Sequence, residues 1–252
     1  MTLKRFILGG LAASAMAVAA LLPSQAQEKA SFDAAQKQEI QAIIKDYLLK
    51  QPEILREAIQ ELNRREAEAA EKERLKVLSS LYKEKSPYSS GEGKITLVEF
   101  FDYNCGYCRK AFENVVSLAK EEKDVRIVFV EFPILSEESR DVSEASIASA
   151  KQGKYFEYHT ALMRHNGRVD GDVAMKVAAD IGLDVEKLKK DMKAPEVAEL
   201  IEKNLQLGTS IGVQGTPALF IGDEAIPGAP DNLHEILKTA VADINKNGCS
   251  IC

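Results

Sequence analysis

The chain has 252 residues, a formal charge of −6 and four cysteines. Its acidity leaves no electrostatic footprint for nucleic acid, and its cysteines are too sparse for a scaffold stapled by disulfides. The length suits one medium domain with an appendage.

Lys4 and Arg5 precede an apolar run from Phe6 to Leu22, followed by Pro23-Ser24-Gln25-Ala26. A basic start, an apolar middle and a small-residue exit read as a secretory signal peptide over residues 1–26. The apolar run is shorter than a membrane-spanning helix requires. Residues 31–82 read as helical. Ser31 or Asp33 suits the start, and Ile40, Ile43, Ile44, Tyr47 and Leu48 share one face. Pro52 interrupts the helix. Ile54, Leu55, Ala58, Ile59 and Leu62 then line the face of a second one. Two such short amphipathic helices are marginal alone, so residues 27–62 are expected to be an association segment. Residues 63–86 begin with a run of Glu, Arg and Lys spaced by Ala, as in a solvated helical linker.

Residues 86–93 have loop composition. Ile95–Phe101 and Val125–Phe132 are β-rich, with a helix from about Cys105 to Lys120 between them, which makes a βαβ unit with parallel strands. Helical signals fill about 137–212. A short strand at Ala218–Ile221 turns through Gly222-Asp223-Glu224 into Ala225-Ile226. Asp231 is expected to cap a last helix ending near Asn245, and 247–252 form a tail. The order is that of a thioredoxin fold of the α/β class with an inserted helical region, and the main domain is expected over 87–246.

The cysteines form two C-x-x-C pairs, Cys105/Cys108 and Cys249/Cys252. The first pair ends a strand and opens a helix. A thiolate is the nucleophile in disulfide exchange, and a helix N-terminus stabilises an anion. Cys105, nearer that end, is expected to be the low-pKa nucleophile, and Cys108 the buried resolving thiol. Glu99 sits within the apolar run Leu97-Val98-Glu99-Phe100-Phe101. On a central strand it would be buried with a raised pKa, and could take up the Cys108 proton. His159, His165 and His234 lack metal-ligand spacing, and no metal or other cofactor is expected.

The segment from Val98 to Cys108 resembles the DsbA-like group of exported thioredoxin-fold proteins. Gly215-Thr216-Pro217-Ala218-Leu219-Phe220-Ile221 resembles the part carrying that group's cis-proline. Tyr47 to Leu55 resembles the oligomerisation segment of the ScsC-like branch. The resemblance implies a cis bond between Thr216 and Pro217 beside Cys105, with the Thr216 backbone open to an extended client. Gly106 and Tyr107, together with Thr216, lean towards the exported isomerases rather than DsbA. The implied function is a periplasmic thiol–disulfide oxidoreductase, a disulfide isomerase acting on misfolded exported proteins as a homo-oligomer, with a trimer favoured. A membrane partner would recharge it: a DsbD- or ScsB-like reductase for an isomerase, a DsbB-like oxidase for an oxidase. Cys249 and Cys252 are read as an exposed disulfide on a flexible tail, with a second redox relay or Cu(I) or zinc capture as alternatives. The rival functions are a DsbA-like oxidase, a copper carrier using the C-x-x-C pairs, and a chaperone whose cysteines are incidental.

Overall fold

The computed structural model describes residues 32–252. The expected signal peptide lies outside the described residues. The chain divides into two compact units, with the boundary between Ala58 and Ile59.

In the first unit, helix α1 spans Ala34–Lys50. Asp33 starts it: the Gln36 amide donates to the Asp33 carboxylate at 2.8 Å, and the Asp33 amide donates to the Gln36 side chain at 3.0 Å. This reciprocal pair satisfies two backbone donors that would otherwise lack partners. The helix stops before Pro52, and α1 buries none of its side chains. Helix α2 then runs without interruption from Glu53 to Lys83.

The second unit is built on a five-stranded sheet: β1 Ser89–Ser90, β2 Ile95–Phe101, β3 Val125–Glu131, β4 Ala218–Ile221 and β5 Glu224–Pro227, in the order β1-β3-β2-β4-β5. β2 is central, parallel to β3 and antiparallel to β4. All seven of its residues are buried, as an apolar strand covered on both faces requires. The short β1 pairs antiparallel with β3 at the edge. Its composition gave no strand signal, because two serines in a Gly/Pro/Ser-rich stretch carry no β pattern.

Leu97 and Phe101 face one apolar layer with α3 (Gly106–Glu121) and α9 (Leu233–Asn247). The same layer continues into the inserted helices α4 (Glu137–Ser149), α5 (Tyr155–Met163), α6 (Gly171–Asp180) and α7 (Val185–Met192), while α8 (Pro195–Ser210) packs Val197 and Ile201 against Ile147 of α4 in a smaller cluster. Val98 and Phe100 face the opposite layer, where Leu78 and Tyr82 of α2 pack with Phe132, Ile211 and Val213. The last turns of the stretch read as a linker are therefore part of the domain core. Tyr82 also donates to the Gly222 carbonyl at 2.8 Å, and Arg126 donates to the Tyr82 carbonyl.

Asp231 does not cap α9. Asn232 holds the cap position without a side-chain hydrogen bond, and Asp231 instead pairs with Lys110 at 2.6 Å. The tail is docked rather than loose: the Ser250 amide donates to the Asp223 carboxylate at 2.9 Å, and Ile251 packs against the α2-side layer.

Candidate active site

Cys105 leaves the end of β2 through the turn Asp102–Asn104 and becomes the N-cap of α3, where its sulfur accepts from the Cys108 amide at 3.3 Å. A cap group that ionises gains from the free N–H groups and the helix dipole. The Cys105 pKa is accordingly lowered from 9.0 to about 6, through the Cys108 thiol first, then Thr216 and the Cys108 and Tyr107 amides, against an opposing cost of burial. Cys108 is fully buried, and burial pushes its thiol far above the ordinary range, with the neighbouring Cys105 adding to the rise. The two thiols therefore ionise in sequence, Cys105 first. Gly106 and Tyr107 lie outside at the surface; Tyr107 is 66% exposed, and a Cβ at Gly106 would meet nothing.

The Thr216–Pro217 bond is cis. The Cys105 thiol donates to the Thr216 carbonyl at 3.2 Å. The Thr216 hydroxyl is buried without another partner, so it is free to donate to the sulfur once Cys105 ionises. Ionisation also releases the Thr216 carbonyl. A groove of about 530 Å³ continues from Thr216 and Pro217 along β5, walled by Val213, Phe220 and Ile226 with Arg74 at one side.

Glu99 lies on the face of β2 that carries Leu97 and Phe101, fully buried with neither carboxylate oxygen hydrogen-bonded. Burial, then the negative charge of Cys105, raises its pKa to about 8. A carboxyl poised there exchanges protons near neutral pH.

Several residues of the site carry no signal in the C-x-x-C motif. Asp102 is buried and accepts from the Asn104, Ile134 and Leu135 amides at 2.8, 3.0 and 3.0 Å. Asn104 bridges to the insertion: its side chain accepts from the Val169 amide at 2.8 Å and donates to the Val169 carbonyl at 2.9 Å. Tyr103 reaches a second buried carboxyl, Glu131, at 3.0 Å; Ser143 also donates to Glu131, at 2.8 Å. Burial raises Glu131 to about 8 despite these donors. His159 lies 2.8 Å from the Tyr103 hydroxyl, and burial lowers its pKa to about 3, so it is neutral. Glu131 had the same sequence signal as Glu99, an acid inside an apolar β-run.

Cys249 and Cys252 are joined as a disulfide. The register places Phe100 opposite Ala218 and Leu97 opposite Ile221. Cys105 is thus at one end of the sheet, while the tail beside Gly222 and Asp223 is at the other, and the two C-x-x-C pairs are not brought together. Among the described residues no cluster of three or more His, Cys, Asp or Glu is placed to hold a metal ion. Among them, too, no helix is long and apolar enough to cross a membrane.

Comparison with known proteins agrees with this architecture. The DSBA-like thioredoxin domain matches residues 96–238, and the copper resistance protein ScsC N-terminal domain matches residues 36–69. A linker-deleted mutant of Proteus mirabilis ScsC is 27% identical, covers 86% of this chain and 99% of its own, and superposes with a TM-score of 0.61. A thioredoxin-like oxidoreductase from Silicibacter pomeroyi DSS-3 is 39% identical over 63% of this chain and 91% of its own, with a TM-score of 0.60. Among curated relatives, the Na(+)/H(+) antiporter NhaA of Herminiimonas arsenicoxydans is 28% identical over 158 residues, 62% of this chain, and the chain spans only 25% of that protein's length. With the family model spanning strands β2 to β5, the C-x-x-C helix and the insertion, the chain belongs to the DSBA-like thioredoxin family of thiol–disulfide oxidoreductases and carries an ScsC-type segment ahead of that domain.

Proposed function

We propose that the protein is a periplasmic disulfide isomerase that works as an oligomer, with a trimer favoured. The observation that carries the chemistry is the Cys105 sulfur, which caps α3 and sits against the Thr216 carbonyl. As a thiolate, Cys105 attacks a client disulfide and forms a mixed disulfide, while the client chain pairs with the freed Thr216 backbone beside Pro217. The client thiol freed in that step attacks a second client disulfide, and the client thiolate expelled there attacks the mixed disulfide and releases Cys105, so the client is isomerised with no net oxidation or reduction. Alternatively, Cys108 attacks Cys105 and releases a reduced client, and Glu99 takes the Cys108 proton. Gly106 and Tyr107, at the mouth, set the redox poise.

Association is supported by the apolar side chains that α1 and the start of α2 leave in solvent, among them Ile43, Ile44, Tyr47, Leu49 and Leu55. Copies of the same segment would bury these faces, and active sites arrayed around one cavity suit misfolded clients. The basic start, apolar run and small-residue exit of residues 1–26 support the periplasmic placement, and a DsbD- or ScsB-like membrane reductase is the partner such an isomerase needs. The low Cys105 pKa favours a second reading, a DsbA-like oxidase recharged by a DsbB-like partner, because a stabilised thiolate makes the disulfide more oxidising.

Refolding of a scrambled-disulfide protein separates the two. Recovery of native client with the reduced chain, lost in Cys105→Ala, is the expected result. Fast oxidation of a reduced client without unscrambling would replace the isomerase with the oxidase.

A further inference from the structure

The second C-x-x-C pair is not needed for the active-site chemistry, yet it is held in place. The Cys252 amide donates to Cys249 Sγ at 2.9 Å, the same spacing and polarity as the Cys108 amide donating to Cys105 Sγ at 3.3 Å. The Cys252 amide is thus placed on Cys249 as the Cys108 amide is on Cys105. As a staple the bridge does little: it closes a sequence separation of only 3, and short loops constrain an unfolded chain least. It is nevertheless presented at a fixed place, by the Ser250 amide on Asp223 and by Ile251 packed against the core. Cys252 is exposed and Cys249 half-buried, so the bridge is open to another protein. Its position at the end of the sheet away from Cys105 rules out exchange within one domain.

We propose that Cys249–Cys252 is a second dithiol/disulfide centre, more reducing than Cys105–Cys108, whose dithiol reduces the active-site disulfide of another copy of this chain. The inference rests on Cys105–Cys108 being a redox couple, not on whether that couple isomerises or oxidises clients. The direction follows from where each pair sits. Cys105 opens α3, where the helix N-terminus and the Cys108 amide favour a thiolate, whereas Cys249 follows Gly248 at the C-terminus of α9, the negative end of that helix. The couple whose reduced form is better stabilised accepts the electrons. The Cys249 thiolate attacks Cys105 Sγ, the Cys105–Cys108 bond breaks, and its electron pair goes to Cys108 Sγ, which takes a proton. The Cys252 thiolate then attacks Cys249 Sγ and expels the Cys105 thiolate. One disulfide forms, one is lost, and two electrons change hands. The Cys249–Cys252 dithiol is restored by an external protein dithiol.

Two full-chain variants test this. Reduced C105S/C108S protein is mixed with oxidised C249S/C252S protein, and thiols are trapped over time with a maleimide that shifts mass. The expected result is transfer within minutes, ending at least tenfold towards reduced Cys105/Cys108, equivalent to about 30 mV. No transfer, although dithiothreitol reduces both disulfides, would overturn the proposal, as would an equilibrium lying the other way. If only C249S/C252S fails to be reduced by dithiothreitol, the fault lies with the active-site reading instead. The unaltered chain gives a second measure. In a series of thiol/disulfide buffers, alkylated-peptide masses should show Cys105–Cys108 half-reduced under more oxidising conditions than Cys249–Cys252. The reverse order, or a tail bridge that dithiothreitol cannot open in the folded chain, sinks the idea.

Discussion

Cys105 and Glu99 titrate on either side of neutrality, and each makes a measurable claim. The thiolate absorbance of the reduced chain should rise with a midpoint near 6. Because the Cys108 thiol is the largest cause of that lowering, Cys108→Ala should move the midpoint upward; an unchanged midpoint would mean that the helix cap alone holds the thiolate. Glu99 bears on stability. At low pH the acid is protonated whether the chain is folded or not. Between the ordinary 4.5 and about 8 only the unfolded chain ionises, so stability is lost as pH rises through that window. Glu131, also raised to about 8, acts in the same direction. Urea unfolding at pH 5 and pH 8 should show Glu99→Gln losing less stability than the parent over that interval, by roughly 3 kcal/mol. The same variant should slow release of client from Cys105 by on the order of tenfold to a hundredfold, seen as accumulation of the mixed disulfide.

Helix α2 changes its role along its length. Its charged middle is solvated, but Leu78 is fully buried against Val98, Phe100 and Phe220. Leu78→Ala should cost about 2–5 kcal/mol in denaturant unfolding, whereas Glu66→Ala, on the exposed stretch, should stay within about 0.5 kcal/mol. The contrast also shows what was legible in the sequence. The strands β2 and β3 and the start of α3 carry strong local patterns, and the break at Pro52 is backbone chemistry. The packing of the last turns of α2 into the core was hidden because their apolar residues follow a long Glu/Arg/Lys run that dominates any window average. Asp102, Tyr103, Asn104 and His159 were illegible as site residues for a different reason. Their roles depend on partners such as Ser139, Val169 and Glu131, 28 to 65 residues away in sequence, and no local pattern encodes such pairings.

At the scale of the whole molecule, the oligomer is the claim to test. Tyr82, Leu78 and Arg74 belong to the domain: Arg74 donates to the Asp223 carbonyl at 3.3 Å. A truncation intended to spare the domain should therefore stop early, removing residues 32–62 and leaving the rest of α2. Light scattering should then report a monomer, and unscrambling should fall while oxidation of reduced client persists. Unchanged mass together with unchanged unscrambling would remove the oligomer from the mechanism. The insertion, by contrast, is not free to swing about the C-x-x-C loop. The Asp102 carboxylate takes the amides of Asn104, Ile134 and Leu135, and Asn104 takes that of Val169. Three of these amides donate to one carboxylate and the fourth reaches it through Asn104, so in hydrogen–deuterium exchange the four, from three separated stretches of chain, should open together at a common free energy. Asp102→Asn should speed all four at once, and the rest of the insertion should keep its protection.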